Sequence, residues 1–181
     1  MIEKSNKLLK YMGTLLLVFI LICIDQLIKI IILNYFMYEK YYFIGKFIGF
    51  EPILNDKYSY INSLGNWGIG LTAHIIVAMT VLFISTLIYI FIKETYKLNP
   101  LQELIFVFLF SGSFCSLIDK LFWGGSLDYI LIEGFFTFDL KDVYISIFEM
   151  LVLGCLVFDF RGLRKFNEKT FIRDLKRFYW R

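Results

Sequence analysis

Tyr11–Phe36 reads YMGTLLLVFILICIDQLIKIIILNYF, 26 residues in which Asp25 and Lys29 are the only charged side chains. A helix needs about 20 consecutive apolar residues to cross a hydrocarbon core. Backbone groups in lipid must be satisfied internally, so the stretch is predicted as a membrane-spanning helix. Lys4, Lys7 and Lys10 precede it in the manner of a cleavable leader, and Cys23 sits where a lipoprotein acceptor cysteine could stand. Ile22 before that cysteine is too large for such a cleavage site, and the apolar run resumes after Gln26, so the helix is expected to be retained.

The remainder of the 181 residues extends this pattern. Apolar side chains make up 59% and charged ones 19%, with a mean hydropathy of +0.68. That excludes a disordered chain and an ordinary soluble enzyme, whose surface would be too apolar to stay dispersed. Three more spans are predicted, over about 68–92, 101–122 and 142–160, giving an all-α membrane protein of four transmembrane helices in a single domain. The three cysteines, Cys23, Cys115 and Cys155, lie in apolar runs and read as small buried hydrophobes. Their spacing supports no disulfide framework and no zinc site.

Lysine and arginine placement sets orientation. Three stand in the N-terminal tail, two at Lys93 and Lys97 and eight in the basic tail 161–181, thirteen on one side. Lys40, Lys46, Lys57, Lys120 and Lys141 make five on the other. Both termini are therefore expected in the cytoplasm. The tail is read as a topology anchor against anionic lipid heads rather than as a nucleic-acid binder. The segments 37–67 and 123–141 fall outside. Tyr41–Ile44 and Phe47–Phe50 look strand-like and are predicted to form a small aromatic-rich extracytoplasmic sheet.

Ionisable groups inside a membrane are costly, and their default reading is functional. Asp25 falls about 14 residues into the first span, roughly 21 Å along it and so in the outer third of the bilayer. Lys29 follows one turn later. Asp119 ends the third span on that side, Asp142 begins the fourth, and Asn66 immediately precedes the second. Each has a plain structural reading: an Asp25–Lys29 ion pair, an Asp119–Lys120 pair, Asp142 at a helix N-terminus. His74 reads as a packing or hydrogen-bonding residue. Their shared depth favours a site. Two aspartates on adjoining helix ends suit carboxylate-pair chemistry, in which one keeps a proton and the other activates water. Neither a metal nor a cofactor is called for.

The ordered motifs resemble those of the lipoprotein signal peptidases (type II signal peptidases). Asp25-Gln26-Leu27-Ile28-Lys29 matches that family's Asp-Gln-x-x-Lys. Asn66-Trp67-Gly68-Ile69-Gly70-Leu71 is similar to Asn-x-Gly-Ala-Ala-Phe, and Cys115-Ser116-Leu117-Ile118-Asp119-Lys120 to Gly-Asn-x-x-Asp-Arg. Gly124 to Tyr129, with Asp128, resembles Gly-x-Val-x-Asp-Phe, and Phe138-Asp139-Leu140-Lys141-Asp142 resembles Phe-Asn-x-Ala-Asp. The resemblance runs from about Asp25 to Ile147. It implies a four-helix bacterial inner-membrane aspartyl protease with Asp119 and Asp142 as the catalytic dyad. Asn66, Gly68, Ser116, Lys120 and Asp139 would bind substrate, and Asp25, Lys29, Asp128 and Lys141 would support or line the site. The implied substrate is a prolipoprotein carrying a diacylglyceryl-modified cysteine, cut just before that cysteine by a monomeric enzyme.

Four departures bear on the chemistry. Ser116 loses the amide of asparagine, and Lys120 cannot copy arginine's bidentate fork. Asp139 adds a third carboxylate, and Lys141 either offsets it or pairs with Asp142. The alternatives are an inactive relative that binds lipid-modified peptides and a small transporter. The second is disfavoured because the polar groups are off-centre and no repeated halves are apparent.

Overall fold

The computed structural model describes residues 2–58, 62, 65, 67–96, 98–158 and 168–180, with side chains from Lys10 onward and that of Glu168 outside the described set. Helix α1 spans Ile2–Tyr35, α2 Leu71–Thr95, α3 Pro100–Ile118, α4 Leu140–Val157 and α5 Glu168–Tyr179. Four short strands, β1 (Tyr41–Ile44), β2 (Ile48–Asn55), β3 (Ser126–Ile132) and β4 (Phe136–Phe138), form one antiparallel sheet in the order β1-β2-β3-β4.

Among the described residues three helices are long and apolar enough to cross a membrane: Lys10–Tyr35, Leu71–Thr95 and Pro100–Trp123, the last with the turn that follows α3. Their mean hydropathies are 2.7, 2.7 and 1.8. The fourth expected span appears as the 18-residue α4, which carries Lys141, Asp142 and Glu149 and so falls short of that description. The expected limits 142–160 also shift toward the N-terminus, because Asp139 and Asp142 close a capping box that starts α4 at Leu140.

Each helix has a local cause. Asn99 accepts from the Gln102 backbone amide while the Gln102 side chain returns to the Asn99 amide, and Pro100 fits the first helical turn without needing its missing donor. At the far end α3 widens into a π-helical turn, Asp119–Trp123, stopped by Gly124 in the left-handed region at φ 63°. Gly112 lets α4 come close, since a Cβ there would lie 2.6 Å from Ile145 Cγ1.

The bundle is tied at two levels. Away from the sheet, Val18, Leu82, Tyr89, Val107 and Phe110 form a core, with Tyr89 donating to Thr14 at 2.9 Å and Lys93 paired with Glu103 at 2.7 Å. Next to the sheet, Leu127 and Tyr129 of β3 pack on Ile32 of α1. The strands expected at Tyr41–Ile44 and Phe47–Phe50 are present as β1 and β2. The second outer segment adds β3 and β4, pairing Asn55 with Ser126, Ile53 with Asp128 and Ile130 with Phe138. Between Phe50 and Ile53 the ladder slips at buried Pro52, a bulge that accommodates a residue with no amide to donate. The amphipathic α5 lays Phe171 and Phe178 against Phe91 of α2, and Tyr179 donates to the Leu87 carbonyl at 2.6 Å.

Candidate active site

Where α1, the π turn, β3 and the start of α4 meet, two lysines hold a group of aspartates. The Lys29 ammonium, fully buried, lies 3.0 Å from Asp25 Oδ2, 2.7 Å from Asp119 Oδ2 and 2.7 Å from Asp139 Oδ2. Its place one turn after Asp25 follows from the Asp-x-x-x-Lys spacing. Gln26, between them in sequence, donates to Asp25 at 3.0 Å and Asp119 at 3.1 Å and accepts from the Trp123 indole at 3.2 Å. The expected Asp25–Lys29 pair is thus part of a larger buried cluster.

The second ammonium, Lys141, donates to Asp139 Oδ2 and to Ser126 Oγ, each at 2.6 Å. Three more carboxylate oxygens stand farther off: Asp119 at 3.5 Å, Asp128 at 3.7 Å and Asp142 at 3.7 Å. Lys141 therefore offsets Asp139 and only grazes Asp142. Burial alone would raise the Asp139 carboxyl, but Lys141 and Lys29 outweigh it and hold that carboxyl down at about 2. Burial dominates instead at Asp128 and pushes its carboxyl above the ordinary range, against the pull of Lys141 and the hydrogen bond from Asn55. Ser126 has one hydroxyl proton to give and faces three carboxylates, with Asp128 Oδ1 nearest at 2.8 Å.

A cleft of about 600 Å³ opens on this cluster between α2, α3, α4 and the sheet. Asp128, Asp142, Ser126, Lys141, Lys120 and Ser116 line it. Asp119 does not. At the end of α3, where the π turn begins, its side chain points inward onto Lys29, one layer behind the cleft wall, where it is 1% exposed. The Asp142 side chain is 43% exposed, although the same carboxylate caps α4 through the Asp139 amide at 3.2 Å. One carboxylate oxygen each from Asp128, Asp139 and Asp142 fall within 4.8 Å of one another, a grouping that could hold a cation. The Lys141 ammonium lies within 4 Å of all three carboxylates and already supplies positive charge there.

Lys120 does not pair with Asp119 as expected. Its ammonium turns back to Ser116, 2.7 Å from the hydroxyl and 3.3 Å from the carbonyl, and no carboxylate among the described residues lies within 4 Å of it. Gly68, at φ 64°, stands exposed ahead of α2. Asn66 lies outside the described residues. His74 flanks the cleft opposite the carboxylates, its Nδ1 3.1 Å from the Gly70 carbonyl.

Three contributors were not singled out from sequence. Ser126 links four members of the cluster, Asn55 donates to Asp128 at 2.9 Å, and Gln26 spans Asp25 and Asp119. Ser126 and Asp128 share a strand face two residues apart, a polar pair in an otherwise apolar strand, and that was the available signal.

A family described as Signal peptidase (SPase) II matches residues 17–158. Two solved structures, each described as a bacterial membrane enzyme determined by the in meso method, share the fold. One is 21% identical with a TM-score of 0.68, covering 86% of this chain and 93% of its own. The other is 23% identical with a TM-score of 0.65, covering 80% and 92%. No curated protein matches the chain. A family match over more than three quarters of the sequence, spanning every aspartate and lysine of the buried cluster, assigns this chain to the signal peptidase II family.

Proposed function

We propose that the chain is a membrane aspartyl endopeptidase that removes signal peptides from diacylglyceryl-modified prolipoproteins, cutting before the lipidated cysteine. The observation that carries the reading is the pair of carboxylates on the cleft, Asp128 and Asp142, with oxygens within 4.8 Å of each other. This moves the dyad from Asp119 to Asp128. Asp119 is then the buried prop that Lys29 holds behind the pair. Two carboxylates so close share a proton. The ionised member takes a proton from water as it attacks the scissile carbonyl, and that proton passes on to the leaving amine. Ser126 and Asn55 orient Asp128, and the capping box fixes Asp142.

In this reading α4 is a fourth crossing, packed antiparallel to α3 through Gly112 and bonded to α1 by Tyr144, which donates to the Leu21 carbonyl at 3.1 Å. Its polar start stays at the level of the sheet, outside the cytoplasm. The cleft then lies at the outer leaflet, where a lipid-anchored peptide arrives from the side. Its rim suits that arrival, since Val77, Ala78 and Val81 of α2 line it.

The test is a gel-shift assay in detergent with a diacylglyceryl-modified prolipoprotein. Cleavage that disappears in Asp142→Asn supports the reading. A wild-type chain that binds the lipopeptide without cutting it establishes the binding alternative.

A further inference from the structure

Lys141 stands where the family motif has alanine, and its ammonium lies within 4 Å of both cleft carboxylates. It has three N–H donors. Two are engaged at 2.6 Å, by Asp139 and Ser126. Asp119 Oδ2 stands at 3.5 Å, and Asp128 Oδ1 and Asp142 Oδ2 both at 3.7 Å, all beyond the usual hydrogen-bonding range. Lys141 also lines the cleft. Among the described residues one donor of a fixed cation is therefore unspent beside the gap between the two carboxylates, where the substrate carbonyl must enter for water to be activated against it.

We propose that Lys141 is a catalytic residue in its own right, the electrophile that receives the scissile carbonyl oxygen. This rests on the peptidase reading above. The ionised aspartate takes a proton from water, the water oxygen bonds to the carbonyl carbon, and the C=O electron pair moves to oxygen, where the Lys141 ammonium stabilises it. The pair returns as the C–N bond breaks, and the amine leaves with the aspartate's proton. Lys141 gives up no proton and is unchanged at the end. Asp139 and Ser126 hold it in place. The shared proton of the aspartate pair is thereby freed from polarising the carbonyl and serves the leaving group.

The bland account is that Lys141 only neutralises Asp139. The two separate in an Asp139→Asn background, where that need is gone. With full-length protein in detergent and a diacylglyceryl-modified prolipoprotein, adding Lys141→Ala to Asp139→Asn should lower kcat about 10²–10³-fold, the usual loss when an oxyanion donor is removed, with a smaller change in KM. Lys141→Arg should recover part of it, and added ethylammonium should partly rescue Lys141→Ala. An Asp139→Asn/Lys141→Ala enzyme as active as Asp139→Asn overturns the proposal. So does a loss in Lys141→Met that tracks a fall in Tm and resists ethylammonium.

A second readout does not need turnover. A lipopeptide carrying ¹³C=O before its cysteine, made uncleavable at the next nitrogen, should show a lowered carbonyl stretch when bound to wild type and to Asp139→Asn, and not when Lys141 is alanine. An unshifted stretch in wild type overturns the contact. A Lys141-dependent shift in a chain that never cleaves its natural substrate would instead retire the peptidase reading and leave the contact standing.

Discussion

Lys29 Nζ and Asp119 Oδ2 lie 2.7 Å apart across 90 residues of sequence, and neither side chain reaches solvent. The same ammonium serves Asp25 and Asp139. Removing one partner of a buried ion pair typically costs about 3–5 kcal/mol, because the other charge is left uncompensated. Lys29→Met strands three carboxylates at once. It should sharply lower Tm in detergent and remove most monodisperse protein on gel filtration. Wild-type melting in Lys29→Met would mean that the cluster is not what joins α1 to the π turn.

Asp128→Asn and Asp142→Asn should each abolish cleavage while melting close to wild type. Losing acid–base function alone costs about 10²–10⁴-fold. The double variant should be little worse than either, because the two act as one unit. Asp119→Asn is the discriminating case. It should lose Tm and activity together, in proportion, since its carboxylate answers to Lys29 and not to the cleft. Full stability with no activity in Asp119→Asn would return the dyad to Asp119.

Three long apolar helices and the first hairpin were legible in the sequence because their signals are local: a long apolar run, then aromatic and β-branched residues between turn residues. The Asp25–Lys29 pair was legible for the same reason, being one helical turn apart. β3 and β4 were not. In so apolar a chain, Leu127, Tyr129 and Leu131 do not stand out, and β3 pairs with β2 some 70 residues earlier. The inward aim of Asp119 was hidden because the face of α3 that meets Lys29 is set by packing between elements 90 residues apart in sequence. Which carboxylates face the cleft therefore depended on tertiary packing that motif spacing does not encode.

Acid should expose the Lys141–Asp139 pair. The Asp139 carboxyl titrates at about 2 in the folded protein, against about 3.9 for an unperturbed aspartate. A depressed folded value means stabilisation that is complete above the unfolded value and lost as pH falls through the folded one. Tm should therefore drop between about pH 4 and pH 2, and Asp139→Asn should flatten that drop. Asp128 runs the other way. Burial raises it, so its protonation on mild acidification relieves a cost, and Asp128→Asn should remove that relief. A Tm profile that Asp139→Asn leaves unaltered over this range would show that the pair adds nothing to stability.

The thirteen-to-five distribution of lysine and arginine predicts the topology. Reporter fusions at the N-terminus, near Lys97 and after Arg181 should all read cytoplasmic, and fusions at Asp56 and Glu133 should read external. The Glu133 fusion tests α4 directly, because it lies in the turn between β3 and β4, just before that helix. An external reading at Arg181 would mean that α4 does not cross.

A lipid requirement is the sharpest prediction of the proposed cleft position. Asp128 on β3 and Asp142 at the start of α4 face a cleft whose other side is α2, and α2 carries exposed Ile76, Val77, Met79 and Phe83. A soluble peptide would have to reach the carboxylates past that apolar surface. In the proposed function a diacylglyceryl-cysteine would instead deliver the scissile bond at fixed depth, with its acyl chains in the bilayer and the bond beside the pair. Binding energy from acyl chains remote from the reacting bond is then available to position it, so an unmodified precursor should lose kcat as well as affinity. The check is kcat and KM for modified and unmodified precursors in the same micelles. Equal kcat/KM for the two would mean that the membrane merely houses the site and does not present its substrate.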